Sequence, residues 1–290
     1  MLRLAGVREL APRHDGFLLD QWGVLHDGGA ALPGALDCLA RLREAGKRVV
    51  ILSNSGRSGA ANGTAMRRFG IEPHLYDAVV TAGDDARQAL LERSDPFHRA
   101  LGRRALVIAR DEEVSLAADF GLTAVHDPAS ADLVLVLSLD AGRRTVGDYE
   151  ALLAAARTRD LPMVCANPDV AIVRPGAVVE APGAIARRYE AMGGKVRYHG
   201  KPDAGIYARA LAVLARSGVA APRAVALGDS IVHDVGGARN AGLACALVAA
   251  GIHREALGVA FGELPEPRRW AEFAAEAGLE PDYLVGAFVW

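Results

Sequence analysis

The chain has 290 residues, 51% of them hydrophobic, and 33 Lys and Arg against 35 Asp and Glu give a formal net charge of −2. That is length enough for one large or two medium domains with a packed core, and the composition is too apolar for a disordered chain. Near-neutral charge leaves no footprint for nucleic acid or an anionic membrane, no apolar run nears the ~20 residues of a membrane span, and residues 1–16 lack the apolar stretch of a signal peptide.

Residues 17–19 form an apolar run too short for a helix and suited to a buried parallel strand, ending at Asp20. Gly23, Gly28 and Gly29 mark the loop that follows. Leu36, Leu39, Leu42 and Ala45 then recur at helical spacing before Gly46. Residues 49–52 are a second strand that ends at Ser53 and Asn54, and 58–69 read as a helix stopped by Gly70. This opening argues for a parallel sheet with right-handed crossovers.

From about residue 78 the register changes. Strands at 105–109, 132–140 and 161–166 lie near helical segments at 112–119 and 146–157, and Asn167-Pro168-Asp169, Pro175, Gly176, Pro182 and Gly183 punctuate the chain. Residues 79–181 are therefore expected to form an inserted α/β domain, with 1–78 and 182–290 making the core. The first pattern resumes with a helix at 184–193, VRYHGKP, and a helix carrying Ile206, Ala210, Leu211 and Leu214. AVALGDS (224–230) is another strand that ends in an acid. A glycine-rich helix start (234–242), a strand (245–249) and a helical WAEFAAEAG follow. Trp270, Phe273, Phe288 and Trp290 are expected to pack on the core, with a homodimer contact as the alternative. Cys38, Cys165 and Cys245 stand far apart among small apolar neighbours, which reads as buried free thiols in a reducing cytoplasm.

Polar groups thus gather at four strand tips: Asp20; Ser53 and Asn54; Lys201; and Asp229 with Asp234. Open α/β sheets bind ligands just beyond such tips. These residue types suit phosphoryl transfer. An Asp can attack phosphorus to give an aspartyl-phosphate, and Asp20 with Asp229 can hold Mg²⁺. The Ser53 hydroxyl, the N–H groups after it at Asn54 and Ser55, and the Lys201 ammonium can bind phosphoryl oxygens. Asp234 can orient Lys201, fix a metal-bound water, or simply cap a helix.

Asp20 with Gly23, Ser53-Asn54, Gly200-Lys201-Pro202, and Gly228-Asp229 followed by Asp234 resemble the four motifs of the haloacid dehalogenase superfamily. Asn167-Pro168-Asp169 resembles the cap signature of the subfamily IIA, NagD-like phosphatases. The resemblance spans roughly residues 16–250. It implies a Rossmann-like doubly wound parallel core, an inserted C2-type α/β cap, Mg²⁺, and hydrolysis of a small phosphorylated metabolite. By position, Asp20 resembles the nucleophile and a metal ligand, Ser53 and Lys201 the phosphate binders, and Asp229 the second metal ligand. Asn54, Asn167 and Asp169 would line the cleft.

One position departs from the pattern. Family phosphatases usually carry a second Asp, the general acid and base, two residues after the nucleophile, and here that residue is Trp22. Its backbone carbonyl can still ligate the metal, but an indole N–H cannot shuttle a proton. His26 and Asp27 are the nearby substitutes, unless His26 only packs in the loop. Two readings follow: a phosphatase attenuated or selective for good leaving groups, and a phosphate-binding or regulatory protein without turnover. A dehalogenase, whose relatives also lack the second acid, is disfavoured by Asp229 and Asp234. Arg143 and Arg174 are candidates for an anionic substrate group, or plain surface residues.

Overall fold

The computed structural model of the chain describes residues 1–140, 143–174 and 177–290. Pro175 and Gly176 lie outside the described residues, as does the side chain of Arg174. The strands run in chain order as β1 (Leu2–Leu4), β2 (Gly16–Leu19), β3 (Arg48–Ser53) and β4 (Ala78–Thr81). Then come β5 (Arg104–Ile108), β6 (Thr123–Val125), β7 (Leu133–Val136), β8 (Met163–Cys165), β9 (Ala171–Arg174), β10 (Ala177–Glu180) and β11 (Val196–Tyr198). Last are β12 (Ala224–Gly228), β13 (Ala244–Val248) and β14 (Tyr283–Val285).

Seven strands form one parallel sheet in the order β1-β14-β13-β12-β2-β3-β4. A second parallel sheet runs β11-β8-β7-β5-β6, and β9 and β10 make a separate antiparallel hairpin. The pairing departs from the expected limits of the insertion. β4 completes the first sheet beyond residue 78, and β11 joins the second sheet beyond residue 181. Short strands carry no mark of which sheet will pair with them, so the sequence pattern could not place the crossings.

Both sheets are apolar on both faces, as parallel sheets between helices must be. In the first, Phe17, Leu19, Val49 and Ile51 point into one core, while Leu18, Val50 and Leu52 point into the other. In the second, Val134 and Val136 face one core, and Leu133 and Leu135 the opposite one.

The helix Ala35–Glu44 buries Ala35, Cys38, Leu39 and Leu42, so its inner face is turned from the expected one and Leu36 is exposed. Gly46 follows it at φ 70°. The helix expected over 58–69 is α-helical over Gly59–Met66, with a Ser58 cap, and tightens to a 3₁₀ turn at Arg67–Phe69. The segment expected as a helix at 112–119 is a 3₁₀ run, Asp111–Phe120. Trp270 on the helix Pro267–Ala277 and Phe288 are buried in the two cores of the first sheet, and Phe273 and Trp290 pack against them. The aromatic tail is therefore core. The three cysteines are free and buried, and no helix among the described residues is long and apolar enough to cross a membrane.

Candidate active site

β12, β2 and β3 are neighbours, so their C-terminal ends lie side by side at one edge of the sheet. Asp229, Asp20 and Ser53 stand at those three ends. The Asp20 N–H continues the ladder by donating to the Leu227 carbonyl at 2.8 Å. The fourth tip belongs to the other sheet: Lys201 follows β11, which is why spacing alone could not show that it meets the rest. Asn54 brings it in. Its Oδ1 accepts the Lys201 N–H at 2.7 Å, and its Nδ2 donates to the Lys201 carbonyl at 3.3 Å and to Asp169 Oδ1 at 2.7 Å.

The Lys201 ammonium lies 2.6 Å from Asp20 Oδ1 and 2.7 Å from Asp234 Oδ1, and is 3% exposed. One oxygen each from Asp20, Asp229 and Asp234 falls within a 4.8 Å cluster. Asp229 Oδ2 also accepts the Ile252 N–H at 2.8 Å, and Asp234 Oδ2 the Ser230 N–H at 3.0 Å. Asp234 thus contacts both Lys201 and the Ser230 N–H while it offers an oxygen to the acidic cluster. Burial pushes the Asp20 carboxyl up to about 7, against the pull of Lys201. Burial and the neighbouring acids push Asp229 far above the usual carboxylate range. Lys201 would lose its proton through burial, but the carboxylates raise it further than burial lowers it.

Three clustered acids, Asp229 and Asp234 buried and Asp20 partly so, stand beside one ammonium and leave surplus negative charge. Hard carboxylate oxygens converging in this way match the donor set that Mg²⁺ takes. The loop geometry protects that cluster. Gly23 sits at φ 72°, and a Cβ there would come within 1.9 Å of Asp229 Oδ2, so only glycine leaves the acid in place.

Above the cluster opens a cavity of about 600 Å³. Asp20, Trp22, Ser53 and Ser55 line it from the first sheet, Lys201 from the loop after β11, and Asn167 and Asp169 from the residues after β8. Asn54 lines it as well, yet its amide is committed to Lys201 and Asp169, so it positions rather than offers donors to a ligand. Asn167 turns its Oδ1 back to the Asp169 N–H at 3.2 Å. Asp169 is bridged in turn to His233 Nδ1 at 3.0 Å.

Both nearby candidates for the proton donor are engaged in the loop, although His26 touches the cavity. His26 is 2% exposed, edge-on to the Trp22 ring and against Phe69. The Gly28 N–H donates to its Nδ1 at 3.1 Å, and the Gln21 carboxamide lies 3.0 Å from its Nε2. Burial lowers this imidazole to about 4. Asp27 accepts the Gly29 and Ala30 N–H groups, both at 2.8 Å, which closes the loop and holds its carboxyl below the usual range. The His26 shift has a sign that can be checked. Above pH 6.5 the ring is neutral whether folded or not, whereas below it the unfolded chain binds a proton that the folded one refuses until about 4. Stability is expected to fall over that interval by up to about 3 kcal/mol, and His26→Leu to flatten that part of the slope in unfolding titrations.

Sequence reasoning missed several groups. His233 lies in a single π-type turn, Ile231–Gly236, one residue before an acid that drew the attention. Arg57, Arg110 and Ser138 line the cavity, whereas Arg143 is 85% exposed beside Asp140 and is not part of the lining.

Comparison with known proteins agrees with this geometry. A model described as haloacid dehalogenase-like hydrolase matches residues 17–123, and a second HAD-hydrolase-like model matches 198–279. The solved structure of a haloacid dehalogenase-like family hydrolase from Brucella suis 1330 superposes with a TM-score of 0.82 at 30% identity, covering 98% of this chain and 99% of that one. Glycerol-3-phosphate phosphatase of Gallus gallus is 28% identical over 98% of this chain and 93% of its own. Sugar-phosphatase AraL of Bacillus subtilis (strain 168) is 29% identical over 81% of this chain and 83% of its own. With its parallel core, its second sheet and its four motif tips, the chain belongs to the haloacid dehalogenase-like hydrolase family, among relatives of subfamily IIA type.

Proposed function

We propose that this chain is a Mg²⁺-dependent phosphoric monoester hydrolase that acts on a small phosphorylated metabolite through an aspartyl-phosphate at Asp20. The observation that carries the reading is the buried cluster in which Lys201 bridges Asp20 and Asp234 beside Asp229. Relatives named as glycerol-3-phosphate and sugar phosphatases support the ester class, and three buried free thiols are in keeping with a cytoplasmic location.

Asp20 and Asp229, with the Trp22 carbonyl, would hold the metal, and Asp234 would stand behind Lys201. Bound there, Mg²⁺ would offset the carboxylate charge and the charge on the transferring phosphoryl group. The Asp20 carboxylate attacks phosphorus, the ester P–O bond breaks, and the leaving oxygen departs with its electron pair. Ser53, the N–H groups after it and Lys201 hold the phosphoryl oxygens. Water then cleaves the acyl phosphate, which releases phosphate and restores Asp20.

A screen of phosphate esters with Mg²⁺ tests this. Turnover is expected with Mg²⁺, to be abolished by a chelator and restored by added Mg²⁺. Trp22 favours a second reading, a phosphate-binding protein without chemistry. Retained ligand binding with no turnover of any ester, and no beryllofluoride adduct at Asp20, would establish that one instead.

A further inference from the structure

Away from the cavity, two buried histidines face each other. His98, on the helix Pro96–Ala100, is 1% exposed, and His199, just past β11, is 6% exposed. Their Nε2 atoms lie 3.1 Å apart. Each Nδ1 meets a carboxylate: His98 meets Asp95, the cap of its own helix, and His199 meets Asp85 at 2.7 Å. Asp85 belongs to the helix Ala82–Glu92. Charge reaches these acids from two further elements. Arg197 on β11 lies 3.9 Å from Asp95, and Arg209 on the helix Ala204–Arg216 lies 2.5 Å from Asp85. The His199 N–H donates to the Cys165 carbonyl of β8 at 2.9 Å. The pair therefore joins several elements at a point two residues before Lys201.

Protons can be counted along this chain. Burial opposes the charge on both acids, but hydrogen bonds from His98 hold Asp95 down at about 2, and those from His199 and Arg209 hold Asp85 below the usual carboxylate range. An ionised carboxylate only accepts, so both Nδ1 atoms must carry protons. The contact between the two Nε2 atoms needs a third. Two neutral imidazoles bring only two, and a reversed tautomer would turn a ring lone pair onto a carboxylate. A fourth proton would set N–H against N–H at the centre. All three contacts close only when the two rings hold three protons. Burial keeps His98 below its ordinary value against the pull of Asp95, with His199 and Arg197 adding to the fall. His98 is therefore the neutral member, and the added proton sits with His199 beside Asp85.

We infer that His98 and His199 form a proton-operated latch, in which one shared proton ties the helix Pro96–Ala100 to the strand end that delivers Lys201. The latch stands apart from the chemistry at Asp20 and does not depend on it. Above pH 6.5 the histidines of an unfolded chain are neutral, whereas the folded pair keeps its proton. The stability it contributes is then lost as pH rises, until the pair releases that proton.

Histidine labelled with ¹⁵N at both ring nitrogens reads the count directly in the intact protein. At pH 7 both Nδ1 atoms should be protonated, and a scalar coupling should join the two Nε2 nuclei across their hydrogen bond. Raising the pH should abolish that coupling. His98→Gln, whose carboxamide can donate to a neutral His199, should abolish it at every pH. In unfolding titrations between pH 7 and 9, the wild-type folding constant should fall more steeply than the variant's by up to about tenfold per pH unit, the slope of one proton. Backbone hydrogen exchange over residues 197–203, corrected for its intrinsic pH dependence, should speed up over that interval in the wild type alone. An unprotonated Nδ1 on either ring at pH 7, a metal ion held between the Nε2 atoms, or equal pH slopes in wild type and variant would overturn the latch. Should His98→Gln fail to fold, the wild-type coupling and its loss at higher pH decide the matter alone.

Discussion

Asp20→Asn is expected to slow ester hydrolysis roughly 10⁴–10⁶-fold, the range over which removing a nucleophile or its partner slows other enzymes. An amide oxygen is too weak a nucleophile to attack phosphorus, and no neighbouring acid can take over. Asp234 is turned to Lys201 and the Ser230 N–H, and Asp229 to the Ile252 N–H. The loss should be chemical rather than structural. Asp20 is buried among acids that push its proton affinity up, so a neutral residue relieves repulsion in the metal-free protein. Melting temperature in chelator is therefore expected to hold or rise. A fall of many degrees would mean that Asp20 serves the fold, and residual turnover near wild type would remove it from the reaction.

The second expected result concerns leaving groups. 4-Nitrophenyl phosphate should be hydrolysed with a kcat/KM roughly 10²–10⁴ above that of glycerol 3-phosphate, the range that a positioned general acid supplies. A nitrophenolate departs unprotonated, whereas an alkoxide does not. The position from which family members deliver that proton holds Trp22, whose indole packs over Gly28 and edge-on to His26. Trp22→Asp should narrow the gap at least about 10-fold, measured as the ratio of the two substrates. Equal rates in the wild type would move the proton source elsewhere in the cavity, where His233 beside Asp169 is the imidazole to substitute next.

What the sequence could and could not disclose follows from distance along the chain. Asp20, Ser53 and Asp229 were legible because each ends a local apolar run, and parallel strands align such ends without further information. Lys201 was legible as a residue but not as a member of the second sheet's edge, since three-residue β11 carries no mark of its partner. β1 and β14, also three residues each, are too brief to leave any period. Arg57 pairs with Glu113, an acid 56 residues later, a meeting that only the crossing of two sheets brings about. In the sequence Asn54 stands out only for its place beside Ser53, yet its amide bonds Lys201 and Asp169, 147 and 115 residues away.

That last contact bears on how the protein could be taken apart. Asp169 is gripped from the core side by two groups at once, the Asn54 amide and the His233 ring. Trimming the chain to a minimal catalytic core would strip both of their shared acceptor and loosen the amide that seats the lysine. The insertion is a keystone rather than a removable lid, and a shortened hydrolase would have to be given a new anchor for Asn54 before it could work.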